Sequence, residues 1–235
     1  MSLYLIIMGV QGAGKGTQAA LIQEKYGIPH VSTGDLFRAM KTRTDELAQR
    51  VQEIMAAGAL VPDDVTNEVL QDRLEQPDAR NGVILDGYPR NTDQAEWLEK
   101  YLAGREASIS SVLLLELDYY TAFKRAYGRV KSGKNGQTYN VYFDEDKLDV
   151  QFVKHEDEAY PPRVEAKLKD NEEMLERRPD DEAASVVKRI DTYNDTTAPL
   201  VEYYRQKGLL REIDANQPIG QVSADIYAVI ETVKQ

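Results

Sequence analysis

The chain contains no cysteine. Disulfides, thiolate zinc sites and cysteine nucleophiles are therefore excluded, and an uncross-linked chain suits a cytoplasmic compartment. Histidine occurs only as His30 and His155. His30 abuts a strand and reads as structural, and neither histidine falls in a catalytic pattern. No apolar run reaches the ~20 residues of a membrane helix. The short N-terminal run leads straight into glycines, so it reads as a strand and not as a signal peptide. Positive charge is in deficit, with 29 Lys and Arg against 40 Asp and Glu. The net charge of −11 disfavours nucleic acid and anionic membrane as partners. No exposed apolar stripe is evident, so a monomer is expected. Any anionic ligand must then be held by individually placed basic side chains.

What is present begins with Gly9-Val10-Gln11-Gly12-Ala13-Gly14-Lys15-Gly16-Thr17. An apolar run, Leu3 to Met8, precedes it and a helical pattern follows. The glycines let the backbone wrap inward, so that N–H groups and a helix N-terminus face one hollow suited to phosphate oxygens. Lys15 adds a mobile charge for the outer phosphates. The residue after Lys15 is Gly16, so the hydroxyl that commonly meets Mg²⁺ in P-loops is missing there, and Thr17 is one place late. The alternative is a strand–helix turn without ligand.

Short apolar runs at Tyr4–Met8, Pro29–Val31, Val83–Leu85, Val112–Leu117 and Leu210–Ile213 alternate with helical patterns. This predicts an α/β fold: a five-stranded parallel sheet between two layers of helices. The first helix is predicted to end at Gly27, and Ile219–Val233 reads as a closing amphipathic helix. Two segments depart from the alternation, 33–62 and 128–181, and read as excursions from one core. Residues 144–159 are strongly acidic and read as a solvated, mobile surface insert. Arg163–Arg178 reads as a surface helix, with Glu165/Lys169 and Glu173/Arg177 pairs and an inner stripe of Val164, Leu168 and Leu175.

A second cluster, Val83-Ile84-Leu85-Asp86-Gly87-Tyr88-Pro89-Arg90 with Gln94 beyond it, is a buried strand ending in a carboxylate and an arginine. Ligands of doubly wound sheets bind beyond the strands' carboxyl ends. Asp86 could there hold Mg²⁺ through water, in place of the hydroxyl Gly16 lacks. The alternatives are a turn cap for Asp86 and a surface ion pair for Arg90.

With these residues in view, the chain resembles the adenylate kinases, P-loop kinases of nucleoside monophosphates. The resemblance rests on Gly9–Thr17, Ser32-Thr33-Gly34-Asp35 with Arg38, Asp86–Arg90 with Gln94, Arg125 with Gly128-Arg129, and Arg178-Pro179-Asp180-Asp181 with Arg189. It runs in order across nearly the whole chain. It implies that Gly12, Ala13, Gly14, Lys15, Gly16 and Thr17 cradle the ATP phosphates. Arg125 would cover the ATP adenine, and Gln217 with Pro218 would lie in the segment whose backbone meets that base. Thr33, Arg38, Gly87, Arg90 and Gln94 would hold AMP, with Gln94 reading the base and Met55 and Val61 lining its site. Lys15, Arg90, Arg129, Arg178 and Arg189 would carry the transfer, and Asp86 would order Mg²⁺ waters. Residues 33–62 would form the AMP-binding subdomain and 128–181 a lid, both mobile, on a core of 1–32, 63–127 and 182–235.

Several positions depart from the family pattern. Gln11 replaces the usual Pro, and Tyr88 the commoner Phe. Ser132, Asn135, Leu168 and Asn171 stand where long-lid bacterial forms carry zinc-binding cysteines, so no structural zinc is expected. The expected reaction is reversible phosphoryl transfer from Mg·ATP to AMP, giving two ADP. A UMP or CMP kinase is the nearest rival. A nucleotide switch is disfavoured because D-x-x-G and N-K-x-D are both missing. A decayed binding protein is disfavoured by seven intact basic positions.

Overall fold

Leu3–Met8 (β1) is buried at every position, as a strand covered on both faces of a parallel sheet must be. In the computed structural model, which describes residues 2–57, 61–154, 162–178 and 181–234, β1 sits at the centre of that sheet. It pairs with Gly82–Asp86 (β3) on one side and Ser111–Glu116 (β4) on the other; His30–Ser32 (β2) lies outside β3 and Leu210–Asp214 (β9, numbered in chain order) outside β4. All pairings are parallel, in the order β2-β3-β1-β4-β9. Each strand lies within one or two residues of its expected position.

The alternation of side chains sorts β1 into two cores. Tyr4, Ile6 and Met8 join Val83, Leu85, Val112 and Leu114 in one apolar cluster. Helices α4 (Asp63–Leu74), α5 (Thr92–Ala103) and α8 (Pro199–Gln206) cover it through Leu70, Leu98, Leu200 and Tyr204. Leu5 and Ile7 point the other way and are buried; α1 (Lys15–Tyr26) packs against β1, and α9 (Ile219–Val233) against α1, β4 and β9. Helix α9 buries Val222, Ile226 and Ile230, one residue per turn. Helix α1 stops at Gly27, which takes the left-handed cap conformation. Two further helices, α2 (Thr33–Met40) and α3 (Glu46–Ala56), pack with α4 around Met40, Val51 and Val69.

The chain divides into two compact units. One comprises Met1–Gly9, Gly14–Glu116 and Asn194–Gln235, and the other Val10–Ala13 and Leu117–Tyr193. The second unit contains α6 (Tyr119–Tyr127), α7 (Ala183–Thr192) and two antiparallel ribbons. These are β5 (Arg129–Lys131) with β6 (Thr138–Asn140), and β7 (Leu148–Val153) with β8 (Arg163–Leu168).

The ribbons correct two expectations. Arg163–Leu168 is a strand and not the start of a helix. Its burial alternates, with Val164, Ala166 and Leu168 buried and Arg163, Glu165 and Lys167 more exposed. This period of two had to compete with an equally visible helical spacing of charges. The pairs expected on that helix are replaced: Glu165 meets Arg163, the Lys169 ammonium donates to the Glu145 carbonyl, and Glu173 accepts from Ser132. The acidic insert likewise contributes β7, whose Phe152 pairs with Val164. An antiparallel partner satisfies the backbone groups that solvent was expected to meet. His155, Glu156, Asp157 and Glu158 lie outside the described residues.

Candidate active site

Gly12 and Gly14 both take φ near +90° (92° and 91°), and the Ala13 N–H closes the loop onto the Val10 carbonyl at 3.1 Å. Ala13 is buried. Gly14 caps α1 and carries no side chain to occupy the helix's first N–H donors, and the first turn holds no acid. Those donors and the helix dipole suit an anion. The Lys15 ammonium donates to the Gly9 carbonyl at 2.7 Å, and Thr17 is exposed. A Cβ on Gly12 would lie 2.4 Å from the Ala122 carbonyl oxygen of α6. Gly12→Ala is therefore expected to lose about 2 kcal/mol through strain and overlap together. A fall in the urea midpoint checks this, and an unchanged midpoint would contradict it.

Asp86 ends β3, in register with Ser32. A Cβ on Gly16 would sit 3.9 Å from Asp86 Oδ2, so this carboxylate stands against the start of α1. Oδ2 also lies 3.3 Å from His30 Nε2. A lone carboxylate beside a phosphate cradle fits Mg²⁺, which keeps most of its waters and takes substrate phosphates as further ligands. Among the described residues, no group of three or more His, Asp or Glu is placed to form an all-protein cage.

The residue after Asp86 opens a second corner. Thr33, buried at the start of α2, donates through Oγ1 to the Gly87 carbonyl at 3.0 Å. Arg90 Nε donates to that same carbonyl at 3.0 Å, and its terminal nitrogen is 3.5 Å from Thr33 Oγ1. Gly87 has φ 79°, and a Cβ there would press on Thr33 Oγ1 at 2.8 Å. The Arg90 N–H donates to Gln94 Oε1 at 2.8 Å. The structure thus gathers Thr33, Gly87, Arg90 and Gln94.

Tyr88, where the family commonly has Phe, is fully buried. Its hydroxyl lies 2.6 Å from Asn67 Oδ1 and 3.0 Å from the Gln94 carbonyl. Burial, assisted by nearby Asp63, raises its pKa far above that of a free phenol, so it remains a donor. Tyr88→Phe is expected to cost about 1 kcal/mol in urea unfolding, because Asn67 loses a buried partner. No change would show that water replaces the hydroxyl.

Other expected nucleotide contacts are spread more widely. Arg38 pairs with Asp35 on the exposed side of α2. Met55 lines a shallow hollow with Lys41, Gln52 and Ala56, while Val61 packs on the α2–α4 cluster. Gln217 Nε2 donates to the Asp214 carbonyl at 3.2 Å and to Asp225 at 3.0 Å, beyond the end of β9.

In the second unit, two of the expected arginines share one carboxylate. Asp181 is fully buried. Arg129 binds it with two hydrogen bonds, of 2.8 and 2.7 Å, and Arg189 approaches at 3.3 Å. Arg178 accepts the Asp181 N–H at its carbonyl, and its side chain is exposed. Arg125 is half-buried on α6, and its carbonyl accepts from Asn140. Pro179 and Asp180 lie outside the described residues.

A model of one protein family, described as adenylate kinase, matches residues 7–209. The chain belongs to the adenylate kinase family. It is 42% identical over 218 residues to the adenylate kinase of Moorella thermoacetica, covering 93% of both chains. It is 39% identical over 228 residues to that of Symbiobacterium thermophilum, covering 97% of this chain and 98% of the relative. For that of Clostridioides difficile the figures are 40% over 230 residues, covering 98% and 99%. The chain is accordingly a nucleoside monophosphate kinase, an ATP-binding phosphotransferase.

Asp181 was visible in a motif but had no role, and the structure makes it the shared counter-ion of Arg129 and Arg189. Asp63 belongs to none of the motifs, although it binds the Gln94 side chain. No local signal marks that pair, which closes over 31 residues. At the family's zinc positions, Ser132 donates to Glu173 at 2.8 Å and accepts the N–H groups of Lys134 and Asn135. Leu168 is buried within β8, and Asn171 Oδ1 accepts the Glu173 N–H.

Proposed function

We propose that this enzyme transfers the terminal phosphoryl group of Mg·ATP to AMP, reversibly, giving two ADP. One observation supports the reading above others. Asp86 touches the start of the phosphate-cradling helix, and its neighbour Gly87 belongs to the Thr33–Arg90–Gln94 corner. Two successive residues therefore link a donor cradle to a place fit for a second nucleotide.

An AMP phosphate oxygen, already ionised near neutral pH, attacks the terminal phosphorus as the bond to the bridging oxygen of the departing ADP breaks. No general base is needed. The work left to the protein is positioning and charge neutralisation. The α1 N-terminus with Gly12, Ala13, Gly14, Gly16 and Thr17 holds the ATP phosphates, and Lys15 follows the migrating charge. Arg90 binds the AMP phosphate through its planar fork. Thr33, Arg38 and Gly87 assist, Gln94 reads the base, and Met55 and Val61 line it. Arg125 and Gln217 lie against the ATP base. Arg129, Arg178 and Arg189 neutralise the transferring group. Bound Mg²⁺ supplies additional charge neutralisation, and Asp86 orders its waters. Residues 33–62 act as an AMP-binding subdomain and 128–181 as a lid excluding water, on a core of 1–32, 63–127 and 182–235. A cytoplasmic monomer without structural zinc, nucleic-acid or membrane partner completes the reading. No described helix is long and apolar enough to cross a membrane.

Steady-state rates with AMP, CMP, UMP and GMP test the acceptor. AMP should give the highest kcat/KM, and a higher value for CMP or UMP would overturn the assignment.

A further inference from the structure

Gln94 is 3% exposed, and both ends of its carboxamide are engaged. Its oxygen accepts the Arg90 backbone N–H at 2.8 Å, and its nitrogen donates to Asp63 Oδ1 at 2.6 Å. The other Asp63 oxygen takes Asn91 Nδ2 at 2.8 Å, and Asn91 Oδ1 in turn accepts the Gln94 N–H at 2.9 Å. Amide nitrogen and oxygen are ordinarily interchangeable in position. Here they are not. A backbone N–H can only donate and an ionised carboxylate can only accept. Rotating the amide by half a turn would set oxygen against carboxylate and N–H against N–H. Each end keeps one further valence, an N–H on nitrogen and a lone pair on oxygen.

We infer that Asp63 is a specificity-determining residue, which locks the Gln94 carboxamide so that it accepts a 6-amino purine and rejects a 6-oxo purine. The inference rests on the proposal that Gln94 reads the acceptor base. Adenine presents a ring-nitrogen acceptor beside an amino donor. Hypoxanthine presents the reverse, a ring N–H beside a carbonyl. A freely rotating carboxamide pairs with either by turning over, whereas a locked one pairs with adenine and meets hypoxanthine with two like-to-like contacts. Cytosine offers the same acceptor-and-amino pattern as adenine, so the lock does not act against it.

The test compares kcat/KM for AMP, IMP and CMP in wild type, Asp63→Asn and Gln94→Ala. Asparagine at position 63 keeps the shape but can both donate and accept, so it no longer dictates the amide's direction. The AMP/IMP ratio is expected to fall about tenfold, the worth of one hydrogen bond's mispairing, with the AMP/CMP ratio unchanged. A purely structural role would lower all three nucleotides together and leave both ratios intact, and that result overturns the inference. Should Asp63→Asn be too unstable for kinetics, Asp63→Ser also lacks the obligate acceptor and must move the ratio in the same direction. Gln94→Ala separates the two levels. If it leaves AMP/IMP discrimination at the wild-type value, base reading by Gln94 is itself wrong. If it collapses the discrimination while both Asp63 variants retain it, base reading stands and the lock fails.

Discussion

Arg90→Ala is expected to lower kcat about a thousandfold, with both nucleotides saturating, while the unfolding midpoint stays where it is. The magnitude is that of an arginine stabilising a transferring phosphoryl group. The fold should tolerate the change because Arg90 is exposed, and its side chain meets the Gly87 carbonyl and the Thr33 hydroxyl. Both retain one another through their own hydrogen bond of 3.0 Å. Arg90→Lys should recover only part of the lost rate, since an ammonium keeps the charge but not the planar fork that engages two oxygens. Near-normal turnover of the alanine variant would remove Arg90 from the site. A large fall in the unfolding midpoint would instead assign it to the scaffold.

Asp181→Ala is expected to damage stability and activity together. A fully buried carboxylate binds Arg129 and Arg189, whose side chains are 24% and 29% exposed. Removing the shared anion takes a buried counter-charge from both guanidinium groups, which should cost about 3 kcal/mol in urea unfolding. Turnover should fall roughly a hundredfold, because both guanidinium groups lose the contact that orients them. The double variant Asp181→Leu with Arg129→Met separates the effects. Replacing charges by apolar groups of similar size should restore much of the stability but none of the activity. If Asp181→Ala unfolds at the wild-type urea concentration, the pair carries no net stability. If turnover also survives, Asp181 does not orient the arginines.

Three core strands, β1, β3 and β4, were legible because each holds an apolar run long enough for a strand and too short for a helix; β2 and β9, which carry His30 and Arg211-Glu212, were legible from their place in the alternation with helices. The phosphate loop was legible for a similar reason: its glycines, its lysine and the flanking strand and helix are contiguous. Arg163–Leu168 shows where such reading fails. Its residues carry a period of two and a helical charge spacing at once, and only the pairing with Leu148–Val153 decides between them. An isolated ribbon has little local propensity to announce, since its stability comes from the partner strand.

Charged pairs far apart in the chain were legible only in part. Arg129 and Asp181 lie 52 residues apart, and Asp63 and Gln94 lie 31 apart. In sequence Asp63 looks like one more acid among 40, and Asp181 stands in a motif that implies no role for it. The residues alone determined the class of ligand, the order of the core strands along the chain and the family, because backbone freedom, apolar periodicity and short motifs act locally. The fold decided which carboxylates meet which cations and amides. It turned Asp181 into a support for two arginines and Asp63 into a clamp on Gln94. A hydrogen bond of 3 Å is set by where whole elements pack, and no stretch of sequence carries that distance.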